Sequence, residues 1–289
     1  MTAHFHHACQ QDDVTAQVPG RFEVELLSHG PHTRIGRQFV SYPFHLTRPF
    51  RLDADIPSLL SLYQQSCSGG LYRADRLLSR FDVRANAAAH ITTQAATIVH
   101  DCHGQPVSQT TEISVGRDGF LAFTPDPLVL FPGASSVASI TAEIAPGAVL
   151  LLADAFTSYD PKALSRPFDQ LDSDVMVRDD TGCLLLRDSF QISGAALRGP
   201  ASPIGDWRVV SNYLLIGDRA RLPRHDLLCD LAAEAGDRIV TGVTELANGA
   251  GWGLRCLAAD AVAARGLGER LFSLAVRSAL GQTPALRRK

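Results

Sequence analysis

The sequence contains very little lysine, and almost all of its positive charge comes from arginine. Only Lys162 and Lys289 are lysines among the 27 basic residues, and the formal net charge is -3. This balance gives no general basic field, which argues against nucleic acid as a partner. Arginine instead suits interfaces at which planar guanidinium groups meet carboxylates.

Long apolar runs are also missing. No stretch approaches the roughly twenty apolar residues that a membrane span requires, and Met1–Gln10 lacks the apolar centre of a signal peptide. The cysteines are scattered without a CxxC pair, which in a chain of this length is typical of reduced thiols in the cytosol. We therefore expect a cytoplasmic protein with no membrane partner.

The motifs of common enzyme classes are absent as well. There is no P-loop, dinucleotide fingerprint or HExxH sequence, so nucleotide chemistry and zinc proteolysis have no support. Cys67 lies in Ser66–Gly70, but this stretch lacks the G-x-S-x-G arrangement of a nucleophile elbow. A Gly-Gly turn between strands explains it better, and we expect a protein that is not an enzyme.

Short apolar stretches separated by turn residues fill most of the chain. Phe22, Val24 and Leu26 alternate with polar residues, and Val175–Val177 and Cys183–Leu186 flank a hairpin turn. This pattern predicts antiparallel sheets in a sandwich, barrel or solenoid. No fixed-length repeat supports a regular solenoid.

Two further segments bear on the fold. Leu59–Tyr63 fits a strand or a helical turn, because Pro57 favours a helix start but glycines follow closely. Helical spacing appears only in the final third, which predicts a β-rich body with a small helical end. The apolar positions that predict the two helices are Leu227, Leu228, Leu231, Leu267, Leu271 and Leu274, with Gly236 and Gly281 as terminators.

The N-terminal segment differs from the rest of the chain. Residues 1–20 are polar and aperiodic, which predicts disorder, and residues 21–289 are expected to form a single domain. His4, His6 and His7 are possible weak ligands of a transition metal. A frayed terminus without any metal is the plainer alternative.

Ala89–His103 contains a β-branched strand pattern that Thr92, Thr93 and Gln94 interrupt. Buried hydroxyls and amides need partners, so this polar group either bonds to backbone or lines a wet cavity, which we favour. At the end of the stretch, His100 and Cys102 are two possible soft metal ligands, and a surface turn is the alternative.

Two carboxylates follow apolar runs. Asp154 ends Val149–Ala153, and Asp188 follows a leucine run and Arg187. Such a carboxylate is either buried or marks the point at which a strand meets solvent. The simplest explanation of Asp188 is an exposed pair with Arg187.

Taken together, these segments resemble the urease accessory protein family UreD, also called UreH. Gly69, Gly70, Leu71 and Asp75 match its GGL-x-x-G-D stretch, and Ile91–Val99 follows its LTTQAATKV strand closely. The resemblance covers most of Arg21–Gly281. Two further positions match the family's LPxxxILF stretch, namely Pro125 and Phe131.

The chain departs from the family at two places. Arg73 and Ala74 stand where the family usually has glycines, and Phe156–Asp169 matches poorly. The second departure predicts that a contact surface is altered or lost.

The resemblance implies a helically wound, mixed β-sheet body and a non-catalytic role. Members deliver nickel to apo-urease together with UreF and the GTPase UreG, and are described as holding a water-filled passage. The implied cofactor is a transient Ni²⁺ and nothing tightly bound. A β-rich module that binds protein or carbohydrate, unconnected with nickel, remains the alternative.

A passage must bind its ion weakly, or the ion never leaves. Because Ni²⁺ binds imidazole and thiolate strongly, oxygen donors suit the passage better than His100 or Cys102. The predicted lining residues are therefore Asp75, Thr92, Thr93, Gln94, Asp154 and Asp188. Gly69, Gly70, Pro125 and Phe131 are expected to have structural roles in the family motifs.

Overall fold

The computed structural model describes residues 18–285, which fold into two facing β-sheets and a small helical layer. Strand accounts for 48% of the chain and helix for 13%, so the predicted mainly β class is confirmed. His4, His6 and His7 lie outside the described residues. The predicted N-terminal segment reaches Gly20, which already begins the first strand.

The first sheet has seven strands. In spatial order they are β14 (Leu184–Ile192), β13 (Gln170–Asp179), β11 (Ser135–Ile144), β8 (Val107–Val115), β5 (Arg76–Val83), β1 (Gly20–His29) and β2 (His32–Val40).

The second sheet has ten strands. Its main path is β16 (Ile239–Glu245), β17 (Gly251–Ala258), β15 (Val209–Gly217), β12 (Val149–Ser158), β9 (Phe120–Phe123), β6 (Ala88–Thr93), β4 (Leu59–Ser66) and β3 (Phe44–Leu46). Two short strands, β7 (Thr97–Val99) and β10 (Leu128–Leu130), pair with each other beside β12.

The chain winds between the two sheets, and this makes most central pairs parallel. From β4 to β13 successive long strands alternate between sheets, so the next strand within a sheet arrives in the same direction. Antiparallel pairs occur at the ends, as in the confirmed β13–β14 hairpin. The mixed, helically wound body is therefore confirmed, whereas a purely antiparallel sheet is wrong.

Unequal coil lengths explain why the sequence shows no repeat. Ser79, Thr111, Ile140 and Val175 are register neighbours across β5, β8, β11 and β13, at separations of 32, 29 and 35 residues. Leu59–Tyr63 lies in β4 and not in a helix, because its backbone pairs with β6.

Apolar side chains form the core between the sheets and a second layer outside. Phe22, Phe81 and Leu150 are fully buried between the two sheets. The outer face of the second sheet packs against α1 (His225–Ala233) and α2 (Ala261–Leu280). Both predicted helices are confirmed, and Gly281 ends α2 in the left-handed conformation with φ of 81°.

A third apolar cluster closes one end of the sheets. Its buried members include Val99, Leu130, Phe156, Phe168 and Leu171. The space between this end cluster and the main core is where the candidate site lies. Neither helix in the described part of the chain is long and apolar enough to span a membrane.

Candidate functional site

Inward-facing residues of both sheets change from apolar to polar between the main core and the end cluster. On β12 the inward positions read Leu150, Leu152, Asp154 and Phe156, because alternate residues of a strand share a face. We call the resulting band the polar layer. Its members are Gln64, Thr93, Asp154, Asn212 and Arg255 on the second sheet and Ser79, Gln109, Thr111, Ser173 and Asp188 on the first.

Strand register places these residues side by side. Gln64 pairs with Thr93 across β4 and β6. Asp154 pairs with Asn212 across β12 and β15, and Asn212 pairs with Arg255 across β15 and β17. The polar layer therefore crosses most of the second sheet, from β4 to β17.

The widest part of the polar layer holds a cavity of about 330 Å³. Gln64, Ser79, Thr93 and Asp154 contribute polar groups to its wall. The wall also includes the exposed residues 94–96, so the cavity approaches the surface there. More of its wall is apolar than polar, but its volume is sufficient for several water molecules, and these four side chains offer them hydrogen-bond partners.

A gap in the second sheet forms part of this wall. β6 and β9 stop before β7 and β10 begin, while β12 runs past both pairs without interruption. Pro125 and Pro127 lie in the gap, where the absence of an N–H group prevents ladder pairing. Pro125 lines both the main cavity and a cavity of about 140 Å³ beside α2.

Two smaller cavities continue the polar layer beyond Asp154. The first has about 10 Å³ and is bounded by Asp154, Ser173, Asp188 and Asn212. The second has about 130 Å³ and is bounded by Asp188, Asn212 and Arg255 among others. The smaller cavity has room for about one water molecule. A cation passing this constriction would have to exchange bound water for protein oxygen atoms.

Asp154 is a carboxylate deep between the sheets. Burial raises its pKa, the nearby charge of Asp188 adds to this, and a hydrogen bond from Ser173 opposes it. The Ser173 hydroxyl donates to Asp154 Oδ2 at 2.7 Å. A negative charge that is costly in its surroundings favours a neighbouring cation.

Asp188 is the second carboxylate of the polar layer, and its partner is Arg255. The Arg255 guanidinium donates to Asp188 Oδ1 at 2.7 Å. The predicted pair with Arg187 is wrong, because neighbouring residues of a strand face opposite sides. Arg187 instead donates to Asp174 at 2.9 Å.

The three polar residues at the end of β6 have different positions. The Thr93 hydroxyl accepts a hydrogen bond from the Asp126 N–H at 2.8 Å. Thr93 and Gln94 both line the main cavity. Thr92 lies on the other face of β6 and donates to the Thr124 carbonyl at 2.7 Å. The Thr93 hydroxyl is therefore bonded to backbone and also lines the cavity, and the presence of water there stays a prediction.

Asp75 closes the turn that follows the glycine pair. Its Oδ2 accepts from the Tyr72 N–H at 2.8 Å, and it lies outside the walls of the cavities described above. Gly70 has a φ of 139°, and a Cβ there would lie 2.7 Å from the Ile98 carbonyl oxygen. Ala74 has a φ of 61°, so it keeps a conformation that glycine adopts more easily.

The soft ligand candidates lie outside the polar layer. The His100 ring stacks on Tyr72 at 4.4 Å and meets the edge of Phe131 at 5.3 Å, and its Nε2 is 3.2 Å from the Gly69 carbonyl. Cys102 is buried and donates to the Ser135 carbonyl at 3.3 Å. Among residues 18–285, no three His, Cys, Asp or Glu side chains group as a metal site. A weak site at His100 and Cys102 stays a prediction.

Several polar-layer residues were not found from the sequence. Ser79, Ser173, Asn212 and Arg255 gain their significance from register with strands far along the chain. One signal was present: Leu60, Leu62 and Gln64 repeat the spacing of Leu150, Leu152 and Asp154. It becomes readable only when the inward face of each strand is known.

The fold and site define a helically wound β protein with a polar internal layer that contains two carboxylates. Residues 18–289 match the family described as UreD urease accessory protein, and the chain belongs to that family.

Curated relatives agree with this assignment. UreD 1 of Methylorubrum extorquens (strain PA1) is 42% identical over 90% of this chain and 88% of its own length. UreD 1 of Methylorubrum populi is 40% identical over 96% of this chain and 95% of its own length. UreD 3 of Bradyrhizobium sp. (strain ORS 278) is 40% identical over 90% of this chain and 91% of its own length.

Proposed function

We propose that this chain is a non-catalytic scaffold of urease maturation that conducts nickel along the polar layer. In this proposal it binds apo-urease in the cytoplasm together with UreF and the GTPase UreG. Membership of a urease accessory family supports the process. The observation that supports the conduit is a row of three separate cavities, in which Asp154 lines the first and second and Asp188 lines the second and third.

The ligand chemistry of the polar layer suits an ion in transit. Ni²⁺ binds imidazole and thiolate tightly, whereas carboxylate, hydroxyl and amide oxygens hold it less firmly. The constriction offers such oxygens from Asp154, Ser173, Asp188 and Asn212. Several weak binding sites that follow one another along the conduit allow an ion to enter and to leave. Nickel is therefore the cargo and not a resident cofactor.

The alternative module that binds carbohydrate or an unrelated protein is less favoured. The match to the UreD family covers residues 18–289, and the description of that family refers to urease and not to carbohydrate. Purification from cells that express urease and its other accessory proteins separates the two interpretations. A urease scaffold is expected to bring urease subunits and a UreF-like protein with it, whereas a carbohydrate module is not.

The conduit is tested with Asp154→Asn in cells that lack the native protein. We expect the variant to co-purify with urease normally but to leave urease with less nickel, because an amide lacks the charge that attracts the ion. Nickel per urease active site is measured by elemental analysis. Asp172→Asn is the matched control, because register places Asp172 next to Ser173 on the opposite face of β13.

The result that contradicts the conduit is equally concrete. If urease matured with Asp154→Asn contains as much nickel as with the wild-type chain, the ion does not depend on the central carboxylate. A loss of nickel with Asp172→Asn of the same size would point to a general effect on the chain.

A further inference from the structure

The end of the polar layer at β17 carries a positive charge, that of Arg255. Arg255 on β17 reaches across to Asp188 on β14, so the ion pair joins the two sheets. The Arg255 side chain is 70% exposed, whereas that of Asp188 is 20% exposed. Both residues bound the cavity of about 130 Å³ together with Asn212. The last carboxylate of the layer is therefore already occupied by a guanidinium.

We infer that the Arg255–Asp188 pair is a latch that keeps divalent cations off Asp188 until the guanidinium swings into solvent. This inference rests on the proposed function, because it names the group that controls the end of the conduit at β17. Arg255 is a positioning residue here: it contacts the carboxylate and not the ion.

The ion and the guanidinium exclude each other for two reasons. Arg255 occupies Oδ1 of Asp188, one of the two oxygen atoms through which a cation would bind the carboxylate. A divalent ion bound at Asp188 would also be repelled by the guanidinium at short range. Binding at this carboxylate therefore requires Arg255 to leave.

The structure also allows Arg255 to move. A largely exposed arginine loses little when an ion pair opens, because water replaces its partner. Its register neighbour on β16 is Gly242, and no atom lies within 4 Å of the position where a Cβ would be. The long side chain thus has open space beside it, while Asp188 is held by a paired strand.

A second arginine at the same end of the polar layer provides a matched control. Arg187 bounds the same cavity, and its side chain is 61% exposed. It pairs with Asp174 and makes no ion pair with Asp188. Removing Arg187 changes the net charge of the region by the same amount but leaves the latch intact.

The test measures Mn²⁺ binding to the purified full-length chain by electron paramagnetic resonance. Mn²⁺ prefers oxygen ligands, so the imidazoles of His4, His6 and His7 compete with it less than they would with Ni²⁺. We expect Arg255→Gln to tighten Mn²⁺ binding by about tenfold, since both the blocking contact and the repulsion disappear. Arg187→Gln should bind like the wild type.

Two further variants make the assignment specific. In Arg255→Gln combined with Asp188→Asn the gain should vanish, because the freed carboxylate is gone. Arg255→Lys keeps the charge but loses the planar guanidinium group, so its Mn²⁺ affinity should lie between those of the wild type and Arg255→Gln. It also serves as the readout if thermal melting shows that the glutamine variant is not folded.

Mn²⁺ affinity in Arg255→Gln that equals or falls below that of the wild type would overturn the latch. So would an equal gain in Arg187→Gln, which would reduce the effect to regional charge. Neither readout involves urease. Failure of the latch is therefore distinct from failure of the conduit, which appears as unchanged nickel loading with Asp154→Asn.

Discussion

At the scale of single residues, the account depends on the inward-facing carboxylate of Asp154 and its neighbours. Asp154 and Asp188 were predicted from their positions after apolar runs, and both bound the constriction. Asn212 and Arg255 were not predicted as site residues, because only strand register brings Asn212 beside Asp154 and Arg255 beside Asn212. Asp75 shows the opposite case: a motif residue that the structure places in a turn.

The raised pKa of Asp154 predicts how stability depends on pH. Burial raises this pKa in the folded state, so the charged carboxylate destabilises the fold once the pH exceeds the unfolded value of about 4. The penalty grows as pH rises towards the folded pKa and is constant above it. Asp154→Asn removes the penalty and can still accept the hydrogen bond from Ser173.

We therefore expect Asp154→Asn to melt at a higher temperature than the wild type at pH 7.5, and the difference to shrink towards pH 4. Thermal melting followed by circular dichroism across this range measures it. A difference in melting temperature that stays constant with pH, or a variant that is less stable at pH 7.5, would show that the charged Asp154 carboxylate does not destabilise the fold.

At the scale of elements, short sequence patterns predicted the helices and the hairpin, but they did not predict how the chain winds between the two sheets. Gly281 and the leucine spacing predict α2, and the turn before Cys183 predicts β13–β14, because both signals are local. Parallel pairing depends on which sheet the next strand joins, and turn residues do not record that choice. The resemblance, and not the pattern, supplied the helical winding.

The segment Phe156–Asp169, which the sequence predicts to match the family poorly, contains a hydrogen-bonded loop after β12. The Asp160 carboxylate accepts from the Arg166 guanidinium and from the N–H groups of Lys162 and Arg166. These contacts lower the pKa of Asp160, with the Arg166 side chain as the main cause. These contacts give Asp160 a structural role within the loop, and the departure of this segment from the family stays a prediction.

Helix α2 offers a direct test of the outer layer. Leu271 is fully buried against the second sheet, so Leu271→Ala is expected to lower the free energy of unfolding by about 2–5 kcal/mol. Val262→Ala on the same helix is the control, because Val262 is 77% exposed and should change stability by less than about 0.5 kcal/mol. Urea denaturation measures both, and equal effects would contradict the packing.

At the scale of the whole molecule, two sheets wound around one core leave a polar band between two apolar clusters. A solenoid adds one strand to each sheet per coil, so one polar inward residue on a strand is enough for that strand to contribute to the band. This arrangement extends across most of the second sheet, from β4 to β17. Composition alone could not reveal it, because the polar residues lie far apart in the sequence.

The central claim is that nickel crosses this band, and the constriction is the place to block it. Asn212→Leu keeps the length of the side chain but replaces its amide with methyl groups where Asp154, Ser173 and Asp188 converge. The measurement is transfer of radioactive ⁶³Ni to apo-urease by the purified accessory complex. The account predicts that the variant assembles normally but transfers nickel no faster than a mixture without the chain. Transfer at the wild-type rate by an intact variant complex would contradict it.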